Sequence, residues 1–125
     1  LYRLVGSEMC IRDSLNSYES DETFDLIHSM EVMYYLENPA ETIKKISESW
    51  LKPGGRLIVG IDHYYENKAS HSWQEKVGTP MLMLKEKEWL NIFKDTGLND
   101  VEYWRSNESD NWAGTLVLTG KKKLN

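Results

Sequence analysis

The chain lacks features on which several classes of protein depend. Only one of its 125 residues is a cysteine, Cys10, so a framework of disulfide bonds is excluded. No apolar run approaches the roughly 20 residues that a membrane-spanning helix needs, so no membrane association is expected. The charge balance of 15 Lys and Arg against 20 Asp and Glu gives −5, and the basic run Lys121–Lys123 is short. A nucleic-acid partner is therefore not expected either.

What is present fits one small domain or a part of a larger one. Hydrophobic residues make up 40% of the chain and five residues are Trp, which is enough for a core. We expect a cytoplasmic location, and the sequence leaves the oligomeric state open.

The first 14 residues, LYRLVGSEMCIRDS, do not form a signal peptide, because residues 6–8 interrupt a short apolar centre. They resemble the translation of a sequencing-adapter tail, and the alternative is an ordinary irregular leader. We expect residues 1–14 to be a non-native leader and residues 15–125 to be the native part. Since Cys10 lies in this leader, the native part would offer neither a Cys nucleophile nor a Cys ligand for zinc.

Residues 24–62 show the pattern of a β-α-β crossover. Thr23–Met30 is predicted to be a strand, and Asn38, followed by Pro and Glu, is predicted to cap a helix. The helix has an apolar stripe of Ile43, Ile46, Trp50 and Leu51. It is expected to end at the Pro-Gly-Gly that begins at Pro53. The continuous apolar run Leu57–Ile61 then predicts a parallel strand covered on both faces.

The second half of the chain continues the alternation. Asp62–Thr79 is a long polar and aromatic connection, typical of a functional loop or lid. Lys85–Thr96 is predicted to be an amphipathic helix ended by Gly97. Val101–Arg105 and Thr115–Thr119 are predicted strands joined by a polar hairpin loop. The expected order is strand, helix, strand, helix, strand, strand.

This order and four local motifs resemble the C-terminal half of the class I S-adenosylmethionine-dependent methyltransferases. The motifs are Phe24-Asp-Leu-Ile leading to Met30-Glu31, Leu51-Lys-Pro-Gly-Gly leading to Leu57-Ile-Val, Thr96-Gly-Leu98, and Gly114-Thr-Leu-Val-Leu-Thr119. The resemblance covers residues 24–122. It implies an α/β fold, the C-terminal half of a Rossmann-like doubly wound sheet with an antiparallel last strand, and S-adenosylmethionine as the cofactor.

The chain departs from the family pattern in one respect. The family's first strand carries a Gly-rich cofactor loop and its second strand ends in an acidic residue that binds the ribose, and neither lies upstream of Phe24. We therefore expect residues 15–125 to be a partial domain that lacks this loop. The edge of its first strand would be exposed, so we expect an inactive chain that is not a robust monomer.

The resemblance also implies where the cofactor binds. Ser29, Met30 and Glu31 match the position after a strand that lines the cofactor in this family, and ligands of parallel sheets gather at this edge. The alternative for this segment is a plain loop with Met30 in the core. Glu31 could pair with the sulfonium, bond the amino end of the cofactor, or cap a helix.

Aromatic and histidine side chains follow the same strand ends. They are predicted to line an acceptor pocket: Tyr34, Tyr35, Tyr64, Tyr65, His71 and Trp73. The alternatives for the aromatic residues are shielding of the sulfonium through cation–π contacts and ordinary packing. His63 directly follows the second parallel strand and is the candidate general base, since its ordinary pKa suits the removal of a proton from an acceptor. His28 is predicted to be structural, and no ligand spacing recommends a metal site.

The sequence thus favours transfer of a methyl group from S-adenosylmethionine to a small-molecule acceptor. One alternative is a non-catalytic binding or scaffold module with the methyltransferase fold. Another is half of a different doubly wound nucleotide-binding enzyme, against which the terminal antiparallel hairpin argues.

Overall fold

The computed structural model describes residues 22–124. The predicted leader, residues 1–14 with Cys10, lies outside the described residues. Among those described, no helix is both long and apolar enough to cross a membrane.

Four strands form one mixed sheet. They are β1 (Phe24–Met30), β2 (Leu51–Ile61), β3 (Asn99–Ser106) and β4 (Thr115–Lys121). Their order across the sheet is β1-β2-β4-β3, with β1 parallel to β2 and β4 antiparallel to both of its neighbours. The predicted Rossmann-like half-sheet with an antiparallel last strand is confirmed.

The two predicted helices lie close to their predicted positions, and a third, short helix was not predicted. Helix α1 (Pro39–Lys45) begins where the backbone N–H of Glu41 donates to the Asn38 side chain at 3.3 Å, and a π-helical turn carries it on to Trp50. The short helix α2 spans Trp73–Val77 and α3 spans Glu86–Asp95. Two 3₁₀ turns, Met33–Tyr35 and Lys68–Ser70, complete the elements.

The junction between α1 and β2 differs from the prediction. Leu51, predicted to belong to the helix stripe, is instead the first residue of β2 and pairs with Phe24. Pairing then resumes six residues into the strand, between Leu26 and Arg56, so the Pro-Gly-Gly turn bulges out of β2 and does not end the helix. The backbone N–H of Gly54 in this bulge donates to the carbonyl of Lys122, so this donor has a hydrogen-bond partner although it lies outside the ladder between β1 and β2.

The core lies on one face of the sheet. Inward-facing residues of the strands and the apolar sides of α1 and α3 form it together: Ile27, Leu57, Val59, Ile61, Leu116, Leu118, Ile43, Ile46, Trp50, Trp89 and Phe93. On the opposite face of β1, Leu26 and Met30 remain 55% and 40% exposed. The helices described here therefore cover one side of the sheet.

The connection after β2 is more ordered than predicted. His63, Tyr64, Asn67 and Ser70 are all buried within Asp62–Thr79, which also contains α2 and the turn Lys68–Ser70. This connection therefore contains regular structure and buried side chains, and its role as a functional loop or lid stays a prediction. The connection is ordered because its internal polar groups bond to the end of β2 and to the β3–β4 loop.

Gly97 ends α3 in the left-handed conformation, with φ of +85°, and an added Cβ there would meet open space. Gly97→Ala should therefore lower the free energy of unfolding by about 1–2 kcal/mol through backbone strain alone. Gly97→Asn should lose less, because Asn tolerates this conformation. Urea unfolding of both variants measures the difference, and equal losses would contradict the explanation.

Candidate active site

The sheet topology brings three chain segments to one edge. β1 and β2 are parallel, so Glu31 and Asp62, which follow them, lie side by side. β4 runs the opposite way, so its first residue, Thr115, starts at the same edge. The candidate site is built on these three positions.

Glu31 joins the ends of the two parallel strands. It has a positive φ of 59°, and its backbone N–H donates to the carbonyl of Gly60 at 2.8 Å. Its carboxylate accepts hydrogen bonds of 2.9 Å from the backbone N–H of Asp62 and from the Tyr34 hydroxyl. The side chain is thereby fixed in orientation, half-buried at the strand ends.

The surroundings of Glu31 change its ionisation. Burial, followed by the negative charge of Asp62, raises the pKa of Glu31 from 4.5 to about 7, although the hydrogen bonds from Tyr34 and the Asp62 N–H act in the other direction. Burial beside this carboxyl also raises the pKa of Tyr34, which keeps its hydroxyl a donor. Glu31 therefore exchanges a proton near neutral pH.

Asp62 connects this edge to the β3–β4 loop. Its side chain accepts a 2.6 Å hydrogen bond from the Thr115 hydroxyl, and its carbonyl accepts one of 2.7 Å from the Asn67 amide. The Asn67 side-chain oxygen in turn accepts from the N–H of Ala113 at 3.3 Å. The sequence analysis did not single out Asn67 or Thr115, and only the place of Thr115 at the start of an antiparallel last strand could have indicated it.

Ser29 and Met30 project to opposite sides of β1. Ser29 is buried, and its hydroxyl has no hydrogen-bond partner. Met30 lies over Gly60, where an added Cβ would collide with its sulfur. The end of β1 thus offers one free polar group and one exposed thioether beside Glu31.

Aromatic rings form a row that leads away from Glu31. Successive ring centroids are 4.7 Å apart for Tyr35 and Tyr34, 5.3 Å for Tyr34 and His63, and 6.0 Å for His63 and Trp73. Trp112, which the sequence analysis did not select, continues the row at 5.9 Å from Trp73. Four of the predicted residues are therefore neighbours in space.

His63 lies inside this row and is 2% exposed. Its Nδ1 is 3.1 Å from the carbonyl of Ser70, an acceptor, so Nδ1 carries the proton and Nε2 is left with its lone pair. Burial lowers the pKa of His63, which keeps the ring neutral at pH 7. The ring has the ionisation state of a base, and its catalytic role stays a prediction.

Three predicted acceptor-binding residues lie apart from the row. Tyr64 is fully buried, and its hydroxyl donates to the carbonyl of Gly114 at 2.8 Å, an arrangement that favours packing. Tyr65 is 50% exposed and its ring lies 5.4 Å from that of His71. Their binding roles stay predictions.

A surface cavity of about 360 Å³ opens at the far end of the row. It lies between the segment after β2 and the β3–β4 loop, and its lining includes Glu66, Asn67, Glu108, Asp110 and Trp112. The cavity therefore borders the same hydrogen-bonded connection that reaches Asp62.

Among residues 22–124, no group of three or more His, Cys, Asp or Glu side chains is placed to hold a metal ion. The expectation that the protein uses no metal stays a prediction.

Comparisons with known proteins agree with this architecture. A family model described as a methyltransferase domain matches residues 6–103. The (S)-coclaurine N-methyltransferase of Papaver somniferum is 29% identical over an alignment of 101 positions, which covers 74% of this chain and 28% of that protein.

Two solved structures have a similar fold. A methyltransferase in complex with the Haloferax volcanii activator Trm112 is 28% identical, with a TM-score of 0.71 over 85% of this chain and 57% of that chain. An S-adenosylmethionine-dependent methyltransferase of Thermotoga maritima is 20% identical, with a TM-score of 0.65 over 88% of this chain and 61% of that one. The chain thus spans only part of each of these proteins.

The family match begins at residue 6, inside the predicted leader, whose status stays a prediction. The match nevertheless covers most of the chain, and the sheet order and antiparallel last strand agree with it. The chain belongs to the methyltransferase-domain family of class I S-adenosylmethionine-dependent methyltransferases.

Proposed function

We propose that this chain carries part of the active site of an enzyme that transfers a methyl group from S-adenosylmethionine to a small-molecule acceptor. The observation that carries the proposal is the arrangement of Glu31. Its half-buried carboxyl is fixed between the ends of two parallel strands and is adjacent to a row of aromatic rings. This edge is where α/β sheets bind their ligands.

The residues present fit the cofactor. S-adenosylmethionine when bound supplies an electrophilic methyl group on a positively charged sulfur. The Glu31 carboxylate suits the ammonium of its methionine part, and the unpartnered hydroxyl of buried Ser29 can bond a polar group nearby. Met30, exposed at the same strand end, offers an apolar contact.

The aromatic row suits an acceptor. Tyr34, Tyr35 and Trp73 would orient it and exclude water, which is the main protein contribution to an in-line displacement. His63, neutral at pH 7 with a free Nε2, would remove the acceptor's proton. No other group of the row has this capacity at neutral pH.

A small-molecule acceptor is supported by the curated relative, whose name specifies N-methylation of coclaurine. The net charge of −5 also suits a neutral or cationic acceptor better than a nucleic acid. We propose a cytoplasmic location for the enzyme and inactivity of this chain alone, since it covers 28% of the curated relative. A non-catalytic module with the same fold is the alternative, which cofactor binding tests.

Calorimetry with S-adenosylmethionine tests the proposal. The chain extended by its upstream coding sequence, called the extended chain below, should bind the cofactor, and the 125-residue chain should bind it much more weakly. An extended chain that binds no S-adenosylmethionine would overturn the proposed function and favour the non-catalytic module.

The affinity of the extended chain for the cofactor should depend on the ionisation of Glu31. Because the carboxylate form binds the ammonium and the pKa of Glu31 is about 7, affinity should rise about tenfold between about pH 6 and pH 8. Glu31→Gln should bind weakly and without this dependence. Glu102→Gln, a change of the same kind on exposed β3, should behave as the unmodified protein.

The stability of the Glu31→Gln variant separates a binding role from a structural one. A raised pKa means that ionisation of Glu31 destabilises the fold, so the unmodified protein loses stability as pH rises through 7. The variant should escape this loss and have the higher Tm at about pH 8 while binding the cofactor less. A variant that is less stable at that pH would contradict the interpretation.

His63→Gln in the extended chain should lower kcat by about a hundredfold or more, the usual contribution of a general base. The amide can still donate to the Ser70 carbonyl, so cofactor affinity should be unchanged. Methyl transfer to a panel of small amines and phenols measures the effect. His28→Gln, at an exposed position of β1, is the control. An unchanged kcat would assign His63 to packing.

A further inference from the structure

We propose that Thr115 is a positioning residue, whose hydroxyl holds the Asp62 carboxylate beside Glu31 so that the start of β4 orients both carboxyl groups at the strand ends. The inference rests on the proposed role of Glu31 in binding the cofactor. It deepens that role by naming the residue that controls its carboxyl.

The register of the sheet places Thr115 for this task. The last pair between β2 and β4 is Ile61 with Leu116, so the next residue outward on each strand is Asp62 and Thr115. Because β4 is antiparallel, its first side chain reaches the end of β2, and the hydroxyl donates to Asp62 Oδ1 at 2.6 Å. A parallel strand in the same place would have put its last residue there.

The Asp62 side chain is coupled to Glu31. The backbone N–H of Asp62 donates to the Glu31 carboxylate at 2.9 Å. The negative charge of the Asp62 side chain is, after burial, the main cause of the raised pKa of Glu31. The other group on Glu31 is the Tyr34 hydroxyl, with the Tyr35 and His63 rings packed on Tyr34. The orientation of the Asp62 carboxylate therefore determines how far its negative charge raises the pKa of Glu31.

Loss of the Thr115 hydroxyl should change the pKa of Glu31 in one direction only. Without the Thr115 donor, repulsion from ionised Glu31 turns the partly exposed Asp62 carboxylate toward water. The negative charge near Glu31 then decreases, and the pKa of Glu31 falls. The Asp62 carbonyl still accepts from the Asn67 amide, whose oxygen accepts from the N–H of Ala113 in the β3–β4 loop, and the change leaves both of these bonds intact.

The test is a titration of Glu31 by NMR in the 125-residue chain without cofactor, using carboxyl-labelled Glu. Thr115→Val, which keeps the side-chain shape, should lower the Glu31 midpoint on the order of one unit, the size of a like-charge effect at this range. Thr115→Ser restores the hydroxyl and should titrate as the unmodified chain. A folded Thr115→Val variant with an unchanged midpoint overturns the proposal.

Asp62→Asn provides a second measurement if Thr115→Val does not fold. This variant should lower the Glu31 midpoint by itself, and adding Thr115→Ala, which removes the hydroxyl, should change nothing further because the hydroxyl acts only through the Asp62 carboxylate. An Asp62→Asn variant in which the titration midpoint of Glu31 is unchanged overturns the proposal.

Calorimetry of the extended chain separates the two failures. If Thr115→Val shifts the titration midpoint of Glu31 but the extended chain does not bind S-adenosylmethionine, the proposed function is overturned and the positioning of the carboxyl pair is supported. If the extended chain binds S-adenosylmethionine but Thr115→Val leaves the titration midpoint of Glu31 unchanged, the positioning role is overturned and the proposed function is supported.

Discussion

The hydrogen bond from the Asp62 N–H to the Glu31 carboxylate joins the ends of β1 and β2, and the candidate site depends on it. It satisfies a backbone donor where the ladder of the sheet stops, which a strand end must otherwise leave to water. It also draws a carboxyl group into a half-buried position next to a second carboxyl. The raised pKa of Glu31 follows from this burial and from the negative charge of Asp62, although the hydrogen bond itself acts in the other direction.

β2 is the element on which this arrangement is built. It pairs with β1 on one side and β4 on the other, and its inward residues Leu57, Val59 and Ile61 are fully buried against α1 and α3. A central strand with both edges paired has little freedom to shift in register, since a slip of one residue would turn its apolar side chains outward. The position of Asp62 at its end is therefore fixed by the core.

The segment after β2 extends that order away from the sheet. Asn67 bonds to the Asp62 carbonyl and to Ala113, and Tyr64 bonds to Gly114, so the β3–β4 loop is attached at two points. The aromatic row and the cavity beside Trp112 lie along this attachment. In the proposed enzyme, the strand ends that would bind the cofactor and the aromatic row that would bind the acceptor are thus connected through the same hydrogen-bonded segment.

The sequence by itself determined the order of the four strands and two of the helices, and the helix limits near Asn38 and Gly97, because these depend on apolar periodicity and local capping. It also selected Glu31 and His63 as candidate site residues through their places after buried strands, and their roles stay predictions. It misjudged Leu51 and missed the short helix and the turn within Asp62–Thr79, because pairing and burial of a connecting segment depend on residues distant in the chain. Only the tertiary structure decided that Thr115 reaches Asp62 and that Trp112 joins the row. Asp62 and Thr115, 53 positions apart, meet through strand register and direction, which no local pattern contains.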